Sequence, residues 1–372
     1  MESQKVEMLF LSQEEMIEAG VLDMHQCVDV MEQAFKLLGQ GDYLMGGPSG
    51  NHHGVKLWFP KQARGPRMPV EGPDRRFMAV CAYLGGDFHM CGTKWYGSNT
   101  ENPKKRGLPR SVLMVILNDP ETGAPIAIMD GNLISAMRTG AVIGLGARYL
   151  ANKNAETAGI IAAGVISKTC LMALAVGMPN LKTVKVFDID RQKAEALSEE
   201  MSQKLGLDVH AVDSMEAAVR DSDAVSTATS GVKAPFFETE WFKAGAYFGL
   251  SSEAKLADDV WLNSRVVADN WQMHLDWREE TQKAPADLKK PPLHETLHNL
   301  IIAGKMKDDD VVEMGKVVNG DIAGRENEQQ RIILATGGMG IEDVSWGYTL
   351  YQKAKEKGLG QNLKMWDKPH WF

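Results

Sequence analysis

The middle of the chain alternates short apolar strands with amphipathic helices, and this alternation limits the possible folds most strongly. A strand over 158–163 precedes a helix over 167–177, and a strand over 183–187 precedes the helix that follows Asp188. A further strand-like run lies at 224–229. Strands separated by helices of this length predict an α/β fold with a parallel, doubly wound sheet.

A different pattern flanks this unit. The N-terminal part has four strand-like runs, at 77–84, 91–96, 112–117 and 125–129, before a helix of small residues over 133–150. For 372 residues, two or three domains are expected. We expect the doubly wound domain to span 146–325 and to be inserted in a second α/β domain, formed by 1–145 and 326–372.

Composition excludes several classes of protein. Acidic residues outnumber basic ones by 49 to 41, which argues against a nucleic-acid partner. No apolar stretch approaches the ~20 residues that span a membrane, so no membrane association is expected. The cysteines form no CxxC pair, and we expect all of them, Cys27, Cys81, Cys91 and Cys170, to be reduced and buried in a cytoplasmic protein without a metal site.

The turn after the first strand of the doubly wound unit resembles a dinucleotide fingerprint. It reads Ala-Ala-Gly-Val-Ile-Ser over 162–167, and an acid, Asp188, follows Gly164 by 24 residues. Such a turn binds a diphosphate at the helix N-terminus, and the acid accepts the ribose hydroxyls. We therefore predict cofactor contacts by Gly164, Val165, Ile166 and Asp188. The alternatives are an ordinary strand–helix turn and a solvated aspartate.

Local charge favours NAD over NADP. Asp188 would repel a 2′-phosphate, Ile189 offers no charge to bind one, and Asp190 adds a second carboxylate. Arg191 could compensate, so NADP is the alternative cofactor.

Eight motifs occur in an order that resembles the ornithine cyclodeaminase/mu-crystallin family. They are KWY at 94–96, GLPRS at 107–111, NDPETGAPIA, ISAMRTGA, IIAAGV, VFDID, STATS and GGMGIEDVSW. The resemblance covers about residues 10–365. The 60–76 insert and the GLPRS motif are most similar to those of members labelled as a component of tyramine oxidase. The resemblance implies an NAD(P)-binding Rossmann domain inserted in a substrate-binding and dimerisation domain, and a homodimer.

The resemblance also implies roles for individual residues. Lys94 would lie beside the substrate carboxylate and take part in catalysis, and Arg138 would contact both that carboxylate and the cofactor. The other residues implied to contact the cofactor are Arg110, Ser111, Thr139, Asp190, Thr229 and Ser251. The alternatives are a solvated lysine for Lys94 and a structural salt bridge for Arg138.

Two departures from the family pattern affect the substrate site. Glu253 stands where the cyclodeaminases have an aspartate; it could still carry a proton, but its length weakens the cyclisation interpretation. The family's carboxylate-binding arginine near 45–55 is missing, and Pro48, His52, His53 and Lys56 lie there instead. His53 is the predicted replacement, with an ordinary loop histidine as the alternative. Substrate specificity is expected from the 44–76 loop and from residues near Trp58, Trp95 and Gly337, the last taken as substrate-binding.

Three functions remain open from the sequence. The first is an NAD-dependent oxidoreductase that acts on the C–N bond of a small amino or imino acid through an imine, as a dehydrogenase or an imine reductase. The second is an ornithine cyclodeaminase-type ammonia-lyase that uses NAD catalytically. The third is a non-enzymatic, mu-crystallin-like binder of a small ligand.

Overall fold

The structure is a computed structural model that describes residues 4–230, 233–285 and 290–371. Within these ranges the chain forms two eight-stranded sheets and one two-stranded sheet. No helix of the described residues is long and apolar enough to cross a membrane.

The first sheet is built from both ends of the chain. Its strands are β1 (Val6–Leu11), β2 (Tyr43–Met45), β3 (Val55–Trp58), β4 (Arg76–Leu84), β5 (Met90–Ser98), β6 (Ser111–Asn118), β7 (Pro125–Asp130) and β18 (Gln361–Trp366). The order is β18-β1-β7-β6-β5-β4-β2, and β3 pairs with β4. The four strand-like runs of the N-terminal part are thus β4 to β7, and the NDPETG turn joins β6 to β7 as an antiparallel pair.

Five helices accompany the first sheet. They are α1 (Gln13–Ala19), α2 (Met24–Gln40), α3 (Asn102–Arg106), α4 (Asn132–Leu150) and α12 (Gly340–Lys357). Helix α12 packs on β4 and β5, and β18 pairs antiparallel with β1. The C-terminal tail therefore returns to the first unit.

The second sheet is entirely parallel. Its strands are β8 (Thr157–Ile161), β9 (Thr183–Phe187), β10 (Asp208–Ala211), β11 (Ala224–Thr227), β13 (Tyr247–Leu250), β15 (Arg265–Ala268), β16 (Val311–Glu313) and β17 (Ile332–Ala335), in the order β10-β9-β8-β11-β13-β17-β15-β16. The strands β12 (Phe236–Phe237) and β14 (Lys255–Leu256) pair separately. The predicted α/β fold with a Rossmann-type parallel sheet is confirmed.

The helices of the second unit follow its strands. They are α5 (Val165–Gly177), α6 (Arg191–Leu205), α7 (Met215–Val219), α8 (Asp258–Leu262), α9 (Trp271–Lys283), α10 (Glu295–Ile302) and α11 (Met314–Val318), with 3₁₀ turns at Thr239–Trp241 and Asp308–Asp310.

One strand belongs to a different sheet from the one predicted. The predicted boundary at residue 326 assigns β17 to the first unit, but β17 pairs with β13 and β15 in the parallel sheet. All four of its residues are buried, as is typical of a strand covered on both faces of a parallel sheet. The chain therefore returns to the first unit only after Ala335.

The helix of small residues joins the two units. A Cβ on Gly140 of α4 would lie 2.4 Å from the carbonyl carbon of Thr169, and one on Gly144 would lie 2.4 Å from the carbonyl oxygen of Ala173. Both contacts are with α5, so α4 and α5 pack backbone to backbone. This close packing fixes Arg138, which lies just before Gly140 on α4, at the junction of the units.

The prediction that all four cysteines are buried is wrong for two of them. Cys27 and Cys170 are buried, whereas Cys81 is exposed and Cys91 is partly exposed; all four are free thiols. The strand period explains the error, because Cys81 of β4 lies between buried neighbours and points to the other face of the sheet.

Candidate active site

A cleft lies at the carboxyl ends of the parallel strands, next to the first unit. Its lining residues come from both units and are Arg138, Thr139, Val142, Ile166, Ser251, Leu293, Thr336, Gly337, Gly338 and Glu342. Ligands of doubly wound sheets bind at this end of the strands.

Lys94 lies on β5 with only 3% of its surface exposed. Its Nζ donates a hydrogen bond of 2.6 Å to Oδ2 of Asp343. Burial lowers the pKa of Lys94 to about 8, and the nearby charge of Arg138 contributes, while Asp343 opposes the shift. The ammonium is thus a buried cation held by one carboxylate.

Arg138 binds the same carboxylate and a second one. Its Nε lies 3.1 Å from Oδ1 of Asp343, and its Nη1 lies 2.5 Å from Oε2 of Glu342. Burial alone would lower the pKa of Arg138, but the two carboxylates raise it overall. Burial raises the pKa of Glu342 to about 7. These four residues form a buried ionic cluster beside the cleft.

A glycine turn supports this cluster. Oδ2 of Asp269 accepts hydrogen bonds from the amides of Gly337 at 2.6 Å and Gly338 at 3.0 Å. Gly338 has a φ of 77°, and a Cβ there would lie 2.5 Å from Nη1 of Arg138. Only glycine therefore fits between Asp269 and the guanidinium.

His53 reaches the same turn from the first unit. Its Nδ1 lies 2.6 Å from the carbonyl oxygen of Gly338, and its ring centroid lies 4.7 Å from that of Trp277. Burial and the charges of Lys56 and Lys94 hold the pKa of His53 well below its usual value. The imidazole is therefore neutral, so it does not supply the positive charge of the missing arginine.

The turn after β8 leaves the N-terminus of α5 uncapped and open. Ala162 has a φ of 79°, a left-handed conformation at the position where the fingerprint has its first glycine. Gly164 precedes α5 without a side-chain cap, and a Cβ on it would meet nothing within 4 Å. Val165, the first helical residue, is largely exposed. The helix amides therefore face open space that a diphosphate can occupy.

Asp188 is tied to this turn. Its Oδ2 accepts a hydrogen bond of 2.7 Å from the amide of Ala163, and its Oδ1 accepts one of 2.8 Å from the amide of Asp190. Each carboxylate oxygen has a further lone pair for a ribose hydroxyl. Asp190 itself is exposed and lies 3.5 Å from the ammonium of Lys193.

The remaining predicted cofactor residues divide into two groups. Thr139, Ile166 and Ser251 line the cleft, and Thr229 follows β11 with its amide bonded to Oγ of Ser252 at 2.9 Å. Arg110 and Ser111 do not line the cleft.

Arg110 and Ser111 belong to a polar cluster around Asp74. The Nη2 group of Arg110 lies 2.6 Å from Oδ2 of Asp74. Ser111 donates to Oγ of Ser98, which in turn donates to Asp74. Their polar groups are therefore engaged within the first unit.

Glu253 stands apart from the ionic cluster. Its Oε2 accepts a hydrogen bond of 2.5 Å from the amide of His294, at the start of α10, and it does not line the cleft. Burial raises the pKa of Glu253 to about 7, although this hydrogen bond opposes the shift. A carboxyl group with such a pKa can both donate and accept a proton near neutral pH.

Three residues that organise the site were not predicted from the sequence. Asp343 and Glu342 hold the two cations, and Asp269 holds the glycine turn. A signal was present, because the pair Glu342–Asp343 opens a helix among apolar residues, and buried carboxylates require cationic partners.

The family model for the ornithine cyclodeaminase/mu-crystallin family matches residues 21–358. The chain belongs to this family. Among family relatives, the N-((2S)-2-amino-2-carboxyethyl)-L-glutamate dehydrogenase of Staphylococcus aureus is 29% identical over 363 residues, covering 97% of this chain and 99% of the relative.

Solved structures of the family superimpose along nearly the whole chain. The Δ(1)-pyrroline-2-carboxylate reductase of Thermococcus litoralis, in complex with NADH and L-proline, has a TM-score of 0.80 and 28% identity, with coverage of 96% of this chain and 100% of the other. An archaeal alanine dehydrogenase dimer with bound NAD has a TM-score of 0.79 and 26% identity, with coverage of 97% and 100%.

Proposed function

We propose that this family member is an NAD-dependent oxidoreductase that acts on the C–N bond of a small amino or imino acid through an imine. The observation that carries the proposal is the buried pair of cations, Lys94 and Arg138, which share Asp343 beside a cleft at the carboxyl ends of the parallel strands. The relatives described above, which are named as dehydrogenases and reductases, support it.

Lys94 and Arg138 bind the substrate carboxylate in this account. Charge-assisted hydrogen bonds to a carboxylate are about twice as strong as neutral ones, and burial excludes competing water. Asp343 is a positioning residue, because it fixes both cations through its two oxygens. Gly337 and Gly338 form the adjacent wall of the cleft.

Glu253 is proposed to carry the proton of the substrate nitrogen. It follows β13 by three residues, and Ser251 of the same segment lines the cleft. Its pKa of about 7 suits a group that donates in one reaction direction and accepts in the other. Bound nicotinamide supplies or accepts the hydride.

Gly164, Val165 and Ile166 would bind the diphosphate of NAD, and Asp188 the adenosine ribose. The open space beyond Gly164 and the free lone pairs of Asp188 fit these groups. Bound NAD or NADH in two solved relatives supports this cofactor. NADP is the alternative.

We also propose a homodimer formed through the first sheet. Its outer face exposes the apolar side chains of Val55, Leu57, Phe77, Trp95, Val112 and Met114, which lie in two adjacent rows of the β3-β4-β5-β6 register. A contiguous exposed apolar surface is typical of an interface. The dimeric alanine dehydrogenase supports this assembly. The cytoplasmic location and the likeness to members labelled as a component of tyramine oxidase stay predictions.

The function is tested with purified protein, NADH and a panel of 2-oxo acids combined with ammonia or amines. Consumption of NADH with formation of the corresponding secondary or primary amine is the expected result. Proline formed from ornithine with catalytic NAD would instead establish the cyclodeaminase. Tight NADH binding without turnover on any combination would favour the non-enzymatic binder.

A further inference from the structure

Lys56 and Lys94 lie on the same face of the first sheet. Lys56 of β3 is opposite Met78 of β4, and Met78 is opposite Tyr96 of β5. Lys94 lies two residues before Tyr96 on β5. Residues opposite each other, and residues two apart, point to one face. Met78 is almost completely buried, so this is the face that packs inward.

The ammonium of Lys56 has no carboxylate partner among the residues that the structure describes. Its Nζ lies 4.9 Å from the ring centroid of Trp277, the side chain that also contacts His53. The nearby carboxylate of Glu280 is bound instead to Nε2 of His52 at 2.7 Å. Arg76, on the same face, differs because Asp74 pairs with it. Lys56 is therefore a cation with free donors beside the site.

His53 connects Lys56 to the ionic cluster. The His53 ring contacts Trp277, over which the Lys56 ammonium lies, and its Nδ1 meets the carbonyl oxygen of Gly338. Gly338 in turn packs against the guanidinium of Arg138. Two strand spacings across the sheet and a two-residue offset along the strand separate the backbones of Lys56 and Lys94 by about 12 Å. Two long side chains that converge from this separation can bind the opposite ends of one short diacid.

We propose that Lys56 binds a second carboxylate of the substrate, which is therefore a dicarboxylic 2-oxo or 2-imino acid with its carboxylates separated by a short carbon chain. Lys94 and Arg138 bind the carboxylate next to the reacting carbon, and Lys56 binds the distal one. The inference rests on the proposed function for the identity of the proximal carboxylate site. Burial lowers the pKa of Lys56 to about 8, and a bound anion would raise it again.

The test compares two ligands of equal chain length, 2-oxoglutarate and 2-oxopentanoate, which differ only in the distal carboxylate. Each is titrated into the NADH-loaded protein, and its Kd is measured by NADH fluorescence. We expect the wild type to bind 2-oxoglutarate at least about tenfold more tightly than 2-oxopentanoate, because a charge-assisted hydrogen bond contributes about this much to affinity. Lys56→Met should bring the two Kd values to within about twofold, and Lys56→Arg should restore the difference.

The control variant is Lys61→Met, which removes an exposed lysine from the adjoining loop and should keep the preference for 2-oxoglutarate. Equal Kd values in the wild type, or a preference that survives Lys56→Met, would overturn the proposal. A purely structural role for Lys56 against Trp277 would weaken both ligands equally and leave their ratio unchanged, which also overturns it. Because binding is the readout, the result does not depend on turnover, whose absence would count against the proposed function alone.

Discussion

Lys94 and Asp343 are 249 residues apart in the chain and form a buried ion pair of 2.6 Å. The lysine comes from a central strand of the first sheet, and the aspartate from the helix that follows the last strand of the parallel sheet. The second oxygen of Asp343 holds Arg138 of α4. One carboxylate thus connects three elements and fixes two cations beside the cleft, and we propose that these cations bind the substrate carboxylate.

Replacement of Asp188 by alanine should reduce the preference for NADH over NADPH. The ribose hydroxyls lose their acceptor and the 2′-phosphate loses a repulsive charge, so the ratio of the two Kd values should change by about tenfold or more. Asp188→Asn, which keeps an acceptor for the amide of Ala163, controls for distortion of the turn. An unchanged ratio in both variants would contradict the assignment.

Glu253→Gln should lower kcat by about 10²–10⁴-fold and change KM little, because the amide keeps the hydrogen bond from His294 but cannot exchange a proton. In the wild type, a pKa of about 7 makes the reductive rate fall as pH rises through neutrality, since the protonated carboxyl is the donor. The oxidative rate should rise over the same range. A near-normal kcat in the variant, with the pH profile retained, would contradict this role. Lys94 or His53 would then transfer the proton of the substrate nitrogen.

Trp95→Glu should convert the protein from a dimer to a monomer. Trp95 stacks on Phe77 in the exposed apolar face of the first sheet, and a buried carboxylate there would lack a partner. Sedimentation velocity at micromolar concentration measures the change. Ile302→Glu, which alters an exposed apolar residue on α10, should remain dimeric. A wild type that sediments as a monomer would refute the assembly.

His298→Phe should make the protein less sensitive to acid. His298 is buried and stacks on Trp271, with ring centroids 5.4 Å apart, and burial lowers its pKa to about 3. The unfolded chain binds a proton near pH 6.5 that the folded chain does not, so stability is lost as pH falls below that value. The loss approaches about 1.4 kcal/mol per pH unit for one histidine.

Urea unfolding at pH 7 and pH 5 measures this effect. The wild type should lose about 1–2 kcal/mol more of its free energy of unfolding than His298→Phe between the two pH values. The phenylalanine keeps the stacked ring, so packing changes little. Equal losses in both proteins would show that His298 does not titrate on unfolding.

The periodicity of the sequence predicted the parallel sheet because each strand is a short apolar run next to a helix, as in β8 and β9. It misassigned β17, because a short buried strand carries no sign of which sheet it joins. The expectation for Lys94 and Arg138 came from motifs, and the structure brings both to one carboxylate.

The interactions that organise the site could not be obtained from local patterns. Asp343 and Asp269 act on residues far along the chain, so their partners appear only when the two units pack together. The motif placed Arg110 near the cofactor, but it did not indicate that Asp74 of the first unit would bind the guanidinium. His53 was predicted to replace the missing arginine, yet burial and the neighbouring positive charges hold its pKa well below the usual value, so it carries no charge.

The effect of Lys94→Met on reduction of the best 2-oxo acid and amine pair tests directly whether Lys94 binds the substrate carboxylate. The loss of a buried charge-assisted contact should lower kcat/KM by at least about tenfold, while the Kd of NADH stays within about twofold. Lys182→Met, at an exposed ion pair with Glu156, serves as the control and should have full activity. Wild-type kcat/KM in Lys94→Met would show that the substrate carboxylate binds elsewhere, which would contradict the proposed role of Lys94.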